Sequence, residues 1–400
     1  MKILVLNCRI YSVEYEIFSM RQGKVLCRGV VEKIGLETSM LTHQLAGKET
    51  EKTVVPVIDH QRAIELILQT LVKPEYCLIK DRSEISAVGH RIVHGGEKFV
   101  NSVKIDEKVK QGIYENFELA PLHNPYNFKG IEAVEKLLPG VSQVAVFDTS
   151  FYTSLPEKVY RYAVPERLYQ EFRIRRYGFH GISHRYVAEH GALILEKPLD
   201  KLKIVSCHLG AGASITAIKD GMPIDTSMGF TPLEGLMMTT RCGDLDPGII
   251  FYLQKSGWTS NVIESCLNRE SGILGISGIS ENMKEVICAS LAGDDRARLA
   301  VEMFVYRVRK YIGAYWLILG NIDAITFTGG IGENAPLIRE KICADLDHFG
   351  IKIDDEKNKN TVDGKEGIIS GRGSKTKVIV VPGDEKLLIA RDVVDVLKMK

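Results

Sequence analysis

The chain has 400 residues, 45% of them hydrophobic and 26% charged, with a formal net charge of +1. That length exceeds one comfortable core, so two domains are expected. The near-neutral balance gives no electrostatic footprint for a nucleic-acid or membrane partner, and the longest apolar runs, such as 314–319, are far too short to span a bilayer.

The first six residues are apolar, but Asn7 and Arg9 interrupt them and no small-residue cleavage site follows. They read as a first strand, over 2–7, rather than a signal peptide. A turn is expected over 7–12, then strands over 13–19 and 24–31, a helix over 60–72, a strand over 85–93, a helix over 126–138 and a strand over 143–148. The second half opens in the same way. An apolar run over 204–207 turns through His208-Leu209-Gly210-Ala211-Gly212-Ala213-Ser214, returns over 215–218, turns at Lys219-Asp220-Gly221 and continues over 223–227. Small residues at such a turn leave backbone N–H groups bare, which suits a phosphate. Two copies of one hairpin predict a duplicated domain with a ligand between the halves.

Further along, a strand over 324–328 enters Gly329-Gly330-Ile331-Gly332-Glu333-Asn334, and a helix begins at Pro336. Strand, glycine turn and helix in that order suit a nucleotide, although a glycine run alone is a weak signal. The polar stretch 354–367 reads as an exposed loop. A strand over 377–381 precedes a helix from about 386 to 397 that is expected to fold back on the first domain. Cysteines at 8, 27, 77, 207, 242, 266, 288 and 343 form no C-x-x-C pair. That is a reduced, cytoplasmic pattern in which most thiols are small core residues.

Four constellations could carry chemistry. In a strand, His90 and His94 face one side, but no third zinc ligand is evident and a hydrogen-bonded core histidine is the favoured reading. Arg91, at a strand end before Gly95-Gly96, reads equally as a fork for a carboxylate or phosphate or as a surface ion pair. Asp148 closes an apolar strand as a substrate-positioning group, base or metal ligand, or else as a turn aspartate. His180, between Phe179 and Gly181, can face an open cleft, while His184 and Arg185 begin a helix and make structural bonds. Arg241 supplies a second loop arginine. Two arginines with a histidine are what phosphoryl transfer requires, since its chemistry is in-line positioning and neutralisation of spread negative charge.

Taken together, the stretches 90–97, 120–125, 147–149, 176–184, 208–214, 225–235, 240–247, 327–334 and 384–392 resemble the acetate kinase family, within the acetate and sugar kinase and actin fold group, over nearly the whole chain. The resemblance implies two duplicated actin-like (ribonuclease H-like) α/β domains, with mixed sheets flanked by helices and a cleft between them. The first would span 1–150 plus 385–400 and hold the acyl and metal side; the second would span 151–384 and hold the nucleotide side. It implies a cytoplasmic homodimer that uses ATP and Mg2+, or Mn2+ in its place, to phosphorylate a short carboxylate to an acyl phosphate. By matching position, Arg91 would hold the substrate carboxylate. Arg241 and His180 would stabilise the migrating phosphoryl group, and Asp148 would position substrate or handle a proton. Val93, Leu122, Phe179 and Pro232 would form a small acyl pocket. Asn7 and Glu385 would lie on the metal side. His208, Leu209, Gly210, Ala211, Gly212, Asn282, Met283, Lys284, Gly330, Ile331, Gly332, Glu333 and Asn334 would hold the nucleotide.

The departures from the family pattern cluster on the nucleotide side. The family's Asn-x-Gly-Ser-Ser-Ser-x-Lys is here Asn7-Cys8-Arg9-Ile10-Tyr11-Ser12-Val13-Glu14; Ala211 replaces an asparagine, Asn282 and Lys284 replace an Asp and an Arg, and Lys386 replaces a glutamate. A lysine-to-glutamate change beside a phosphate is worth on the order of 4 kcal/mol of repulsion at an effective dielectric near 20. Either Arg9 supplies the missing cation with Glu14 turned to solvent, or the phosphoryl donor differs from ATP, or kinase activity has given way to a binding role. The retained Arg91, Asp148, His180 and Arg241 oppose the last. The expectation is therefore acetate kinase, with propionate or another donor as the alternative within enzymes.

Overall fold

The computed structural model describes residues 1–76 and 78–399. Cys77, one of the eight thiols, and Lys400, the end of the expected first domain, lie outside the described residues. The chain forms two compact units, Met1–Thr153 with Asp384–Lys400, and Ser154–Gly383.

The first unit is built on β1 (Lys2–Arg9), β2 (Ser12–Ser19), β3 (Lys24–Glu32), β4 (Met40–Leu45), β5 (Thr50–Val54), β6 (Ile85–Ile92), β7 (Val103–Lys104) and β8 (Ser142–Phe147), in the sheet order β5-β4-β3-β2-β1-β6-β8-β7. The first five strands form an antiparallel meander; β6 and β8 run parallel to β1. Central β1 is buried from Ile3 to Cys8, as a strand covered on both faces must be. In β2, Val13, Tyr15 and Ile17 enter the core while Glu14 and Glu16 take the opposite face. The expected turn over 7–12 is shorter in fact. Asn7 pairs with Glu14 and Arg9 with Ser12, so only Ile10 and Tyr11 turn. A two-residue connection lets the ladder run to its end and sets Asn7 directly across from Glu14. Strands β4 and β5 are additions to the expected set: β4 does alternate, with Leu41, His43 and Leu45 buried, while β5 is a polar edge with every residue exposed and carries no periodic signal.

The helix His60–Leu71, capped by Asp59, presses Ala63, Ile64, Ile67 and Leu68 into the core. The helix Glu385–Leu397, capped by Asp384, approaches β6 so closely that a Cβ on Gly89 would lie 2.7 Å from Ile389 and 2.8 Å from Val393. That close seat places Glu385 and Lys386 beside the sheet.

The second unit repeats the plan with β9 (Lys203–Leu209), β10 (Ala213–Lys219), β11 (Met222–Thr226), β12 (Ala324–Thr328), β13 (Gly367–Ile368) and β14 (Lys377–Val380), in the order β11-β10-β9-β12-β14-β13. An antiparallel hairpin pair is again followed by two parallel strands, β12 and β14. The order β11-β10-β9-β12-β14 therefore reproduces β3-β2-β1-β6-β8. This is the duplication that the paired hairpins predict and the actin-like α/β core that the family resemblance implies, with helices flanking each mixed sheet. The 25-residue helix Asp295–Leu319, capped by Asp294, buries Ala297, Ala300, Val301, Phe304 and Val308.

Two segments differ from expectation. The run over 329–334 is itself a helix, Gly329–Asn334, rather than a turn. Gly329 leaves β12 with φ of 77°, and the Glu333 carboxylate accepts from the Gly329 N–H at 2.9 Å, satisfying a free amide of the first turn. The stretch expected as an exposed loop contains the helix Asp355–Asn360 with Asn358 buried. Its cause is Arg339, which is fully buried and donates to Asn358 Oδ1, Asn358 O, Thr361 O, Gly332 O and Glu333 O at 2.6–2.9 Å. A buried guanidinium without these acceptors would be very costly. Among the described residues no helix is long and apolar enough to cross a membrane.

Candidate active site

In the first unit, the ends of β1, β6 and β8 and the start of the helix Glu385–Leu397 converge. Arg91, one residue before the end of β6, is largely covered and forms an ion pair with Asp148 just past β8. Its Nε donates to Asp148 Oδ1 at 3.3 Å and its Nη1 to Asn7 Oδ1 at 3.3 Å, with Glu385 at 3.9 Å. Asp148 is buried, and its N–H donates to Ile92 O at 3.0 Å. Burial opposes the charge of Arg91, but Asp148, then Glu385 and Glu14, fix it in place. Burial also pushes the Asp148 carboxyl up to about 6, Glu385 adding to the rise and Arg91 opposing it. Both carboxylates and the Asn7 amide oxygen are hard oxygen donors that fit Mg2+ or Mn2+ chemically. Among the described residues no group of three or more His, Cys, Asp or Glu side chains is arranged to hold a metal unaided.

Glu14 is not turned to solvent. Its carboxylate meets Arg9 at 3.0 Å and Lys386 at 3.5 Å and accepts from Asn7 Nδ2 at 3.4 Å, while Lys386 also reaches Glu16 at 3.3 Å. Burial works against its ionisation, yet Arg9, Lys386 and Arg91 outweigh it and hold the Glu14 carboxyl below the usual carboxylate range. His90 and His94 prove to be core residues. His90 bonds Gln143 at 2.7 Å; β6 ends at Ile92, so His94 leaves the strand alternation and accepts from the Gly96 N–H.

In the second unit, the turn 210–212 joins β9 to β10. A Cβ on Gly212 would lie 3.2 Å from His180 Nε2 and 3.6 Å from Arg241 Nη1, so the imidazole and the guanidinium face one point above this turn. His180 itself sits at φ of 57° at the start of the helix Gly181–Ile194. A left-handed non-glycine residue is strained, and such strain gathers where function needs a fixed geometry. Arg241 donates to Pro232 O at 3.1 Å. Burial alone shifts it, lowering its value, and among the described residues no carboxylate pairs with it. The loop carrying Pro232 is pinned by Arg176, which donates to the carbonyls of Thr226, Ser227 and Met228 and to Glu234 at 2.7 Å.

Next to this point lies a cavity of about 580 Å3, a usual size for a small-molecule pocket. Gly210, Ala211, Asn282, Met283, Lys284, Gly330, Ile331 and Asn334 line it. Five other residues expected at the nucleotide do not. Leu209 points into the core, His208 stacks on His180 at 4.3 Å, and Gly212 faces His180 and Arg241. Gly332 is buried beneath Leu209, and Glu333 ties Gly329 N–H and Gly383 N–H together. Thr239, Ile287, Cys288, Leu337 and Asp363 line the cavity unannounced. Ile287 follows Met283, and Cys288 follows Lys284, by four positions on the helix Met283–Leu291, a spacing that could have flagged them. Of the expected acyl residues, Val93 and Phe179 are buried, Pro232 is half-buried and Leu122 is exposed; Val93 and Leu122 belong to the first unit, Phe179 and Pro232 to the second.

Residues 2–391 match the model of the acetokinase family. The chain is 50% identical over 400 residues to a protein named acetate kinase from Thermotoga maritima, covering all of this chain and 99% of that one. A crystal structure of Porphyromonas gingivalis acetate kinase, 48% identical, covers 99% of each chain with a TM-score of 0.94. A propionate kinase structure from Francisella tularensis, 38% identical, covers 98% of each with a TM-score of 0.90. By this match along its whole length, and by a fold shared with its solved relatives, the chain belongs to the acetokinase family of carboxylate kinases.

Proposed function

We propose that the protein catalyses reversible transfer of the γ-phosphoryl group of ATP to acetate, giving acetyl phosphate and ADP. The observation that carries this reading is Arg241, a covered guanidinium with no carboxylate partner among the described residues, facing the same point as His180 above a glycine turn. A half-buried cation with no counter-ion calls for an anionic ligand.

An acetate oxygen forms the new bond to phosphorus as the bond to the ADP oxygen breaks. Acetate enters as an anion and ADP leaves as one, so no proton need be removed from the acceptor. Asp148 accordingly acts by orienting Arg91, which holds the acetate carboxylate. Arg241 and His180 neutralise the phosphoryl oxygens in the transition state. The turn residues Gly210 and Ala211, with 282–284 and 330–331, take the nucleotide. Val93 and Leu122 in the first unit, and Phe179 and Pro232 in the second, are the residues assigned to the acyl group. Asp148, Glu385 and Asn7 would hold Mg2+ together with the phosphates, and the ion would supply charge neutralisation there. ATP is favoured as donor because Glu14, the departure most hostile to it, is neutralised by Arg9 and Lys386. A homodimer is supported by the exposed apolar side chains Ile249, Phe251, Tyr252 and Trp258 on and after the helix Gly248–Lys255. A cytoplasmic location is supported by the free thiols of the seven described cysteines.

Trapping acyl phosphate as the hydroxamate, with ATP, GTP or pyrophosphate as donor and acetate or propionate as acceptor, tests the reading. The largest kcat/KM is expected for ATP with acetate; no product from any pair would refute the kinase reading.

A further inference from the structure

His180 reaches into the core through a line of hydroxyls and imidazoles. Its Nδ1 lies 2.9 Å from Ser214 Oγ; the same oxygen lies 2.7 Å from His184 Nε2; and His184 Nδ1 lies 2.8 Å from Ser206 Oγ. Ser206, His184 and Ser214 are completely buried. Burial, then the neighbouring His208, hold the His184 imidazole neutral, so one of its nitrogens carries hydrogen and the other accepts.

The direction of the line follows from counting hydrogens. Ser214 has one hydroxyl hydrogen and two imidazole nitrogens beside it. It donates to one and accepts from the other: with two acceptors lone pairs would face each other, and with two donors the Ser214 hydrogen would have no partner, since no third partner of its Oγ is found among the described residues. Suppose His180 Nδ1–H donated to Ser214. Ser214 would then donate to His184 Nε2, and His184 Nδ1–H would donate to Ser206. The Ser206 hydrogen would be left with no acceptor, since His184 is the only partner of its Oγ, side chain or backbone, among the described residues. A buried orphan donor costs about 1–3 kcal/mol. In the opposite direction every hydrogen is used: Ser206 donates to His184 Nδ1, His184 Nε2–H to Ser214, and Ser214 to His180 Nδ1. A neutral His180 then carries its hydrogen on Nε2, the nitrogen that faces Gly212 and Arg241.

We propose that Ser206, His184 and Ser214 form a one-way hydrogen-bond chain that makes His180 present an N–H, and not a lone pair, to the migrating phosphoryl group, with Ser214 as the positioning residue. A lone pair there would repel the phosphoryl oxygens; an N–H donates to them beside the Arg241 guanidinium. The proposal rests on the assignment of His180 to the phosphoryl group.

Nitrogen-15 NMR of histidine-labelled protein, with His180 assigned by comparison with His180→Ala, reads the tautomer directly. The wild-type ring is expected as the Nε2–H tautomer, and Ser214→Ala as a mixture whose kcat falls about tenfold or more while KM for acetate and for ATP stays within about twofold. A wild-type neutral ring with its hydrogen on Nδ1 would overturn the proposal, whether or not Ser214→Ala folds. So would a Ser214→Ala protein with the wild-type tautomer and kcat. Near-normal turnover of His180→Ala would instead overturn the assignment of His180 to the reaction, and the two failures are thereby distinguishable.

Discussion

Glu14 and Lys386, each a departure from the family pattern, form an ion pair at 3.5 Å, with Arg9 closing on the other Glu14 oxygen at 3.0 Å. One departure that looks hostile to a nucleotide, Glu14, is thus paired with two others, Arg9 and Lys386. Glu14 fronts no phosphate as a bare anion, and the cluster of Glu14, Arg9 and Lys386 carries one net positive charge.

Glu14→Lys therefore weakens the protein instead of restoring ATP affinity. It sets a new ammonium group among three existing cations, Arg9, Lys386 and Arg91. The melting temperature is expected to fall, and Glu14→Lys combined with Lys386→Glu is expected to recover most of the loss. A double-mutant cycle on thermal unfolding should return a coupling energy of ~1 kcal/mol; additive effects would show that the pair is not coupled.

Arg91→Ala and Arg241→Ala remove the cations proposed to hold the acetate carboxylate and the migrating phosphoryl group. Each is expected to lower kcat by two to four orders of magnitude, roughly the range for such contacts. Arg241→Ala should leave the melting temperature near that of the wild type, because Arg241 has no carboxylate to strand. Arg91→Ala should lower it, because Asp148 is left buried without its partner.

Asp148 is expected to set the acidic limb of the pH profile. Burial, with Glu385, raises its carboxyl to about 6 against the pull of Arg91. As pH falls through that value Asp148 takes a proton, its hold on Arg91 loosens, and kcat/KM for acetate is expected to drop. Above it the carboxylate is ionised and activity levels off. Asp148→Asn should be slow at every pH and show no limb near 6; a limb that persists unchanged would assign it to another group.

Arg339 is expected to act on the nucleotide alone. It is fully buried and binds the last carbonyls of the helix Gly329–Asn334 to the segment around Asn358. Arg339→Met would strand several buried carbonyls, at about 1–3 kcal/mol for each one left dry. A lower melting temperature and a raised KM for ATP, with KM for acetate little changed, are the expected readouts in steady-state assays.

The sequence carried the hairpins of both units, because their central strands are continuously apolar and their turns are rich in small residues. Arg91 and Asp148 were legible as strand-end charges, and the structure joins them directly. The Glu14–Lys386 pair was not, since its partners lie at opposite ends of the chain and only the seat of the helix Glu385–Leu397 against β6 brings them together. The polar run around Asn358 hid a helix because its reason, Arg339, lies in another element. Leu209 and Gly332 matched a nucleotide motif yet serve the core beneath it, while the cavity wall of Ile287 and Cys288 looked like an ordinary helix face.

The most direct test follows ATP, acetate and Mg2+ by phosphorus NMR with wild-type protein and with Arg241→Ala. The wild type is expected to build an acetyl phosphate resonance at the expense of the γ-phosphate of ATP, and Arg241→Ala to build it at least about a hundredfold more slowly, the low end of what one transition-state donor contributes. Equal rates in the two proteins, or no acetyl phosphate from the wild type, would contradict a phosphoryl group held by Arg241.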